Sequence, residues 1–336
     1  MTLGHKIANA GMLGLAALSL GSSVAPPPPT AQVMLLDEFP QDSVGLTHGT
    51  MVEAVLLSRT SVTHQRVQVP LGAQNDLLDH PAPGNLDKYV VQRFTVPTEA
   101  TARALERMHQ PGVAGQSQGA SESRVVDSLW GSAQANPATR AFLESELEIP
   151  AGSSDADFLQ ALVRRVDDVH HNNESIGQAR AHLLKAAHQA EDAGVIRVLS
   201  AGNQGHLEQT FERLGVITGR DFYLSDMADP SAIIVGASDD HATPDRSDDG
   251  RAALASPDAG ALIGAQGVNV PVTIQGKTYN ESGSSFAQPQ ISALVAGWKD
   301  QDPGLTRDEA LQRLLTLAHP VQGAEPYIGA GIIYGQ

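Results

Sequence analysis

The chain has 336 residues and a formal net charge of −16, a length that allows one large domain or two small ones at roughly 100–200 residues each. Its hydrophobic content of 41% supports a sizeable core and argues against global disorder, and its acidic balance argues against a nucleic-acid groove, which needs a basic surface. Because the chain has no cysteine, a disulfide framework, a thiolate zinc site and a cysteine nucleophile are excluded.

The amino-terminal segment follows the pattern of an export signal. Lys6 precedes a mostly apolar stretch at 7–20, and small residues follow as far as Ala25, which gives a charged, an apolar and a cleavage region. The apolar stretch is too short for a convincing transmembrane helix. We therefore expect a signal peptide at 1–25, a proline-rich spacer at 26–31, and a secreted or periplasmic protein without a membrane span in its mature form. An uncleaved anchor or a disordered tail is the alternative interpretation.

The rest of the chain, 32–336, alternates apolar runs with amphipathic stretches and is expected to form one domain. Short apolar or β-branched runs predict strands at 33–36, 66–71, 124–130, 195–199 and 232–237, and a hairpin at 273–278. Helical spacing of apolar residues predicts a helix that begins at His48 and others at 98–109, 136–148, 155–170, 175–193, 285–298 and 307–318. Stretches rich in Pro, Gly or Ser, at 72–97 and 110–123, are predicted to be loops. Strands that alternate with helices favour an α/β fold in which helices cover both faces of a parallel sheet.

Three reactive side chains lie where predicted elements begin or end. Asp37 follows the first strand, at the edge where open α/β sheets bind ligands. His48 begins a helix, and the adjacent Gly49 allows a tight turn or the close approach of another chain. A serine of the sequence Gly-Ser-Ser at 283–285 begins a later helix, where free backbone N–H groups and the helix dipole can stabilise an oxyanion. Taken singly, each of these residues more often acts as a helix cap or a surface residue.

An asparagine lies directly after another strand. The sequence Ser-Ala-Gly-Asn at 200–203 follows the buried strand predicted at 195–199. Such a sequence is usually just a turn. An asparagine amide at this place also suits the second donor of an oxyanion hole.

In combination, these motifs resemble those of the subtilisin-like serine peptidases, or subtilases. His-Gly-Thr-Met-Val at 48–52 resembles the family's histidine motif, Ser-Ala-Gly-Asn its oxyanion-asparagine motif, and Gly-Ser-Ser-Phe-Ala-Gln-Pro at 283–289 its nucleophile motif. Two further blocks, 229–237 and 256–268, resemble the strand after the asparagine loop and an Ala-Pro-Gly segment. The resemblance extends over 32–317 by motif blocks and implies a three-layer α/β/α fold with a mostly parallel central sheet.

The resemblance implies a serine endopeptidase with Asp37, His48 and Ser285 as its catalytic residues. His48 would take the proton of the Ser285 hydroxyl, and Asp37 would orient the imidazole. Asn203 and the backbone N–H of Ser285 would bind the oxyanion. The expected substrate is a polypeptide, and neither a cofactor nor a metal ion is expected.

Two segments are expected to bind the substrate. The stretch 126–131 resembles the family's edge strand, which pairs with an extended substrate. The first wall of the specificity pocket would consist of Leu129, Trp130 and Gly131. The second wall would consist of Ser200, Ala201 and Gly202. Because Trp130 is bulky, we expect a modified or shallow pocket.

The segment around Asp37 departs from the family pattern. Asp37 is followed by Glu-Phe-Pro where the family usually has Thr/Ser-Gly, and it precedes His48 by only 11 residues. At about 3.3 Å per residue an extended chain of this length spans roughly 36 Å, so the two side chains can still meet. Asp42 is a competing aspartate, but it ends no apolar strand and is therefore disfavoured.

Other functions remain open on the sequence. The altered aspartate motif, and too little chain before Asp37 for the usual folding prodomain, are compatible with a catalytically inactive subtilase-like protein that binds a peptide or a partner. The same shortness implies folding without a prodomain, or a separate inhibitor or folding partner. A peptide ligase or an esterase would use the same residues for another acyl transfer. A carboxyl-type serine peptidase with a glutamate base is disfavoured because His48 lies in a good histidine motif.

Overall fold

The computed structural model describes residues 32–39, 46–70, 76–79, 82–239 and 246–335. The predicted signal peptide and spacer, and the competing Asp42, lie outside the described residues. The strands are β1 (Gln32–Asp37), β2 (Thr63–Gln68), β3 (Gly112–Gln116), β4 (Val195–Ser200), β5 (Ala232–Asp239), β6 (Gly250–Arg251), β7 (Ile263–Gln266), β8 (Val270–Ile274), β9 (Lys277–Glu281) and β10 (Ile332–Ile333). The helices are α1 (His48–Arg59), α2 (Asp76–Asp79), α3 (Asn85–Leu105), α4 (Glu122–Ala135), α5 (Pro137–Glu146), α6 (Asp155–Asn172), α7 (Glu174–Asp192), α8 (Gly205–Leu214), α9 (Ser284–Gln301), α10 (Arg307–Leu317) and α11 (Glu325–Ile328).

The main sheet is mostly parallel, as predicted. Within the described residues it has the strand order β10-β7-β5-β4-β3-β1-β2, and the short β6 adds an antiparallel pair beside β5. The predicted hairpin is present as the antiparallel pair β8–β9. Because β2 and β3 flank β1 on opposite sides, the chain changes its direction of travel across the sheet at this point. Open α/β sheets bind ligands beyond the carboxyl ends of the strands at such a switch.

Helices cover both faces of the sheet, which confirms the three-layer α/β/α fold. On one face, apolar side chains of α1, α9 and α10 share a buried cluster with Val33 and Leu35 of β1. On the other face, apolar side chains of α3, α4, α6 and α7 share a second cluster with Met34 and Leu36. Successive side chains of a strand point to opposite faces of the sheet, so a strand covered on both faces needs apolar residues in succession, as β1 has at 33–36.

The stretch 110–123, predicted as a loop, contains β3 and the start of α4. That prediction was wrong because its glycines serve close packing rather than a turn. A Cβ atom on Gly115 would lie 2.8 Å from Nε2 of Gln288 and 2.9 Å from Oγ of Ser292, both on α9. The missing side chain therefore lets α9 approach the sheet under the strand.

Two further sequence predictions were wrong. The loop predicted at 72–97 contains α2 and most of α3, which continues through Pro97. The strand predicted at 124–130 belongs to α4, whose first turn is capped by the Ser121 hydroxyl accepting from the Arg124 N–H. The helix predicted at 98–109 is the second part of α3, which begins 13 residues earlier, at Asn85. The other predicted strands and helices are present, with ends that differ by a few residues. Among the described residues, none of the helices has both the length and the apolar character needed to cross a bilayer.

Candidate active site

The candidate site is a cleft at the carboxyl edge of the sheet. The register aligns Leu36 of β1 with Gln116 of β3, and Gln116 with Leu199 of β4, so the residues that follow each strand lie side by side. The cleft has a volume of about 230 Å³. It brings together predicted site residues from three distant parts of the chain, namely His48, Ser200, Ala201, Gly202, Asn203 and Ser285.

Asp37 and His48 are joined by a hydrogen bond of 2.8 Å between Oδ1 and Nδ1. Asp37 is 1% exposed, whereas the His48 side chain is 30% exposed. Gly49 makes this short connection between strand and helix feasible, because its N–H donates to the Glu38 carbonyl at 3.0 Å and a Cβ there would lie 2.4 Å from that oxygen. Thr47 caps α1 through a capping box with Thr50, so the helix begins at the histidine.

Ser285 lies in the first turn of α9 and is 6% exposed. Its hydroxyl donates to the Ser117 carbonyl at 3.2 Å and not to His48. The ring of the next residue, Phe286, lies 5.9 Å from the His48 ring between centroids. The preceding Gly283 has φ +154°, and a Cβ atom there would lie 3.1 Å from Nδ2 of Asn203. Glycine at this position therefore lets the asparagine side chain approach the helix N-terminus.

Asn203 is held against the start of α9 by Ser284. Its Oδ1 accepts from the Ser284 N–H at 2.8 Å and from the Ser284 hydroxyl at 3.0 Å. The Gly202 N–H donates to the same hydroxyl at 3.0 Å. These bonds fix the orientation of the amide, since its oxygen end must face the donors of Ser284.

A model of the subtilase family matches residues 120–331, which is more than half of the chain. The chain belongs to the subtilase family. Subtilases are serine-type peptidases, so membership of the family supports serine peptidase activity for this chain. The matched range includes Asn203 and Ser285 but begins after Asp37 and His48, so the pairing of those two residues rests on the geometry of the cleft alone.

Solved structures similar to this subtilase share little sequence with it. A cold-adapted subtilisin-like serine proteinase is 14% identical, with 92% of this chain and 90% of that chain covered and a TM-score of 0.46. A lanthipeptide protease is 13% identical, with 91% and 86% covered and a TM-score of 0.49. Sphericase is 13% identical, with 94% and 95% covered and a TM-score of 0.47. No curated protein sequence matches the chain.

The segment predicted to form the first wall of the specificity pocket lies elsewhere in this subtilase. Residues 126–131 are helical and belong to α4, so they form no edge strand and that prediction was wrong. Leu129 is fully buried, and Trp130 is 6% exposed and packs against Phe158 at 5.8 Å between ring centroids. Gly131 is exposed on the same helix. The expectation of a pocket made shallow by Trp130 is therefore also wrong.

The segment that follows β3, and not residues 129–131, lines this side of the cleft. Gly119 and Ser121 line the cleft together with the predicted wall at 200–202. The Ser200 hydroxyl donates to the Ser117 carbonyl at 3.1 Å, which joins the ends of β4 and β3. This segment was not predicted as part of the site because the glycines of β3 indicated a loop.

Two polar residues of the subtilase site, Gln118 and Arg124, were not predicted from the sequence. Gln118 is 5% exposed, and its Nε2 lies 3.1 Å from Oδ1 of Asp37. Arg124 lines the cleft and donates to Oε1 of Gln118 and to the Gly119 carbonyl, both at 3.0 Å. Burial, with repulsion from Arg93, lowers the pKa of Arg124 to about 10, against the opposing attraction of nearby carboxylates. The guanidinium therefore remains charged at neutral pH.

Proposed function

We propose that this subtilase is a serine endopeptidase that hydrolyses peptide bonds with Asp37, His48 and Ser285 as its catalytic triad. The observation that carries the proposal is the hydrogen bond from His48 to the buried Asp37, beside a cleft that Ser285 also lines. A serine hydroxyl becomes a nucleophile when an imidazole accepts its proton and a carboxylate orients that imidazole. The family assignment supports the same class of activity.

His48 is the general base. An ionised carboxylate only accepts hydrogen bonds, so Nδ1 of His48 carries the proton that Asp37 accepts. Nε2 then holds the lone pair, and the partly exposed ring borders the cleft. Asp37 keeps the ring in this tautomer and stabilises the imidazolium that forms during the reaction.

Ser285 is the nucleophile, and its hydroxyl must first leave the Ser117 carbonyl. Rotation of χ1 between staggered positions moves a serine oxygen without moving the backbone. Oγ then gives its proton to Nε2 of His48 and attacks the carbonyl carbon of the peptide bond. His48 returns the proton to the leaving amine, and a water molecule releases the acyl group by the same route.

Asn203 and the Ser285 N–H bind the oxyanion of the tetrahedral intermediate. Because Oδ1 of Asn203 is occupied by Ser284, Nδ2 is the end of the amide left to donate into the cleft. Ser285 lies in the first turn of α9, where backbone N–H groups lack partners within the helix and the dipole favours negative charge. Such preorganised donors lower the barrier to acyl transfer.

The substrate is a polypeptide, which we propose to lie between the segments 117–121 and 200–202. Both segments consist mostly of small residues, so their backbones can approach an extended peptide. We further propose that 32–336 is one subtilisin-like peptidase domain and that 1–25 directs its export, which makes the protein secreted or periplasmic.

An active-site-directed fluorophosphonate tests the triad, because it phosphonylates an activated serine. Wild-type protein should be labelled at Ser285, and labelling should be lost in Ser285→Ala and His48→Ala. Asn203→Ala should lower kcat for a peptide substrate by about 10²–10³-fold, as expected for one lost oxyanion donor. His206→Ala is the matched control, because His206 is exposed and pairs with Asp127 on another helix.

Absence of labelling in folded wild-type protein, together with retained peptide binding, would contradict the endopeptidase and favour an inactive peptide-binding subtilase. Product analysis with peptide, ester and amine acceptors separates hydrolysis from ligation and from esterase activity.

A further inference from the structure

In the part of the chain that the structure describes, the buried carboxylate of Asp37 accepts hydrogen bonds at only one of its two oxygens. All of them converge on Oδ1, which accepts from the Glu38 N–H at 2.7 Å, from Nδ1 of His48 at 2.8 Å and from Nε2 of Gln118 at 3.1 Å. Oδ2 is buried and makes no hydrogen bond within the described residues. A buried charge is costly unless it is hydrogen-bonded. Gln118 therefore supplies the only side-chain donor to Asp37, besides His48 itself, in the described part of the chain.

The orientation of the Gln118 amide is determined by Arg124. A guanidinium can only donate, so the amide end that faces Nη2 of Arg124 at 3.0 Å must be the oxygen, Oε1. The nitrogen end then faces Asp37. The same Nε2 lies 3.3 Å from Nδ1 of His48, so the amide stands against the edge of the imidazole as well. A reversed amide would set its oxygen against the carboxylate.

Arg124 is itself fixed at both ends of its fork. Besides Gln118, it donates to the Gly119 carbonyl at 3.0 Å, and its backbone N–H is bound by the Ser121 cap at the start of α4. The chain of contacts thus runs from a helix N-terminus through a guanidinium and an amide to a carboxylate. Apart from Asp37, the groups in this chain of contacts belong to one short segment, 118–124, that follows β3.

We propose that Gln118 is a positioning residue for the Asp37–His48 pair and that Arg124 sets its direction. Gln118 holds Oδ1 of Asp37 where Nδ1 of His48 can donate to it, and its contact with the ring edge limits displacement of the imidazole from the carboxylate. This inference rests on the proposed triad. Neither residue touches the reacting atoms in this role. A misplacement of about 1 Å at a catalytic group lowers rates by roughly 10²-fold.

Three substitutions at Gln118 separate its donor from its volume. Gln118→Glu keeps the size but replaces the donor by an acceptor, and should lower kcat most, by about 10²-fold. Gln118→Leu removes the donor and should lower kcat by about 10-fold or more, with KM changed less than about twofold. Gln118→Asn keeps the donor on a shorter stem and should fall between wild type and Gln118→Leu. Arg124→Lys should retain more activity than Arg124→Met, because a lysine can still donate to Oε1.

The matched control is Gln160→Leu. Gln160 is a glutamine with both amide ends bonded to the Ile217 backbone, away from the cleft. It should leave kcat and KM unchanged. Urea unfolding of every variant checks that it is folded.

A spectroscopic arm tests positioning without any activity. In Ser285→Ala protein with ¹⁵N-labelled histidine, the hydrogen-bonded Nδ1 proton of His48 should give a protected downfield resonance. That resonance should broaden or exchange faster when Gln118→Leu is added, but not when Gln160→Leu is added. An unchanged resonance, or unchanged kcat in a folded Gln118→Leu variant, overturns the positioning role. If wild-type protein were inactive, the resonance would still test the role, and only the triad would fail.

Discussion

Among the histidines of this subtilase that bond to buried carboxylates, His48 and His170 differ in the number of carboxylates they meet. His48 bonds through Nδ1 to Asp37 alone and borders the cleft. His170, at the end of α6, bonds through Nδ1 to Glu122 at 2.8 Å and through Nε2 to Asp226 at 3.0 Å. One nitrogen of His48 is therefore left for chemistry, whereas both nitrogens of His170 are occupied.

The second carboxylate favours the protonated, cationic form of His170. Burial alone would lower its pKa, but the hydrogen bonds that the ring donates to Asp226 and Glu122, with the charges of these carboxylates, outweigh burial and raise the pKa of His170 to about 9. The ring also stacks on Phe94 at 4.2 Å between centroids. At neutral pH the protonated form of His170 is therefore favoured, and both ring nitrogens donate to carboxylates.

The location of His170 explains its use. Glu122 begins α4, and the Asp226 N–H donates to the Ala120 carbonyl at 2.7 Å, so His170 joins the two segments that stand behind Gly119 in the cleft wall. The same kind of carboxylate pairing thus accompanies a proposed reactive role at His48 and a proposed structural role at His170. Substitutions at the two sites should separate these roles.

His48→Ala should have the largest effect on activity. We expect kcat for a peptide substrate to fall by about 10⁶-fold, because the general base is lost, with little change in the midpoint of thermal unfolding. Steady-state kinetics and calorimetry on the same preparation measure both. A loss smaller than about 10²-fold would show that another group takes the proton.

Asp37→Asn comes next. Asparagine keeps the shape but can stabilise the wrong tautomer of His48, so we expect kcat to fall by about 10⁴-fold. Burst kinetics with an activated ester report the acylation step directly. Near-wild-type acylation would mean that Asp37 does not orient the imidazole.

His170→Gln should lower stability and leave kcat almost unchanged, the reverse of the effects expected for His48→Ala. It leaves two buried carboxylates with one weak donor, and breaking such a buried pair lowers the free energy of unfolding by about 3–5 kcal/mol. Urea unfolding measures this loss. The kcat of the protein that remains folded should stay close to wild type, and a selective loss of kcat would place His170 in the catalytic machinery instead.

The stability of the wild-type protein should fall at alkaline pH. The pKa of His170 is about 9 in the folded protein, against about 6.5 for an imidazole in the unfolded chain, so the native state binds this proton more tightly. The stabilisation is fully present below about pH 6.5 and is lost as pH rises through about 9, by at most about 3 kcal/mol. Urea unfolding from pH 6 to pH 10 should show this decline in wild type, and a weaker decline in His170→Gln. Parallel curves for the two proteins would contradict it.

His206→Ala should have the smallest effect. The His206–Asp127 pair is 2.8 Å long, but the histidine side chain is 59% exposed. Exposed pairs contribute less than about 1 kcal/mol, so the free energy of unfolding should change by less than that and kcat should not change. A larger loss of unfolding free energy or of kcat would show that the exposure of a histidine does not predict its contribution to stability or activity in this protein.

The proposed reactive residues could be found in the sequence because each belongs to a local pattern. Asp37 ends an apolar run, His48 begins an amphipathic helix, and Ser285 and Asn203 lie in short sequences that resemble those of a family. Such patterns arise from contacts between residues that are near in sequence, as in the capping box of Thr47 and Thr50. The same local reasoning misplaced Trp130, because two valines and a leucine in a short window fit a strand as well as a helix.

The alternation of strands and helices, and so the α/β class, could be deduced from the sequence, because period and capping depend on neighbours along the chain. Long-range packing decided that Gln118 contacts Asp37, that the segment after β3 forms a wall of the cleft, and that His170 meets two carboxylates. Those outcomes depend on parts of the chain more than 40 residues apart, from α4 to α6 and from β1 to β3, which no local pattern records. A residue's charge and reactivity are set by such distant neighbours, since burial and hydrogen bonds act through space.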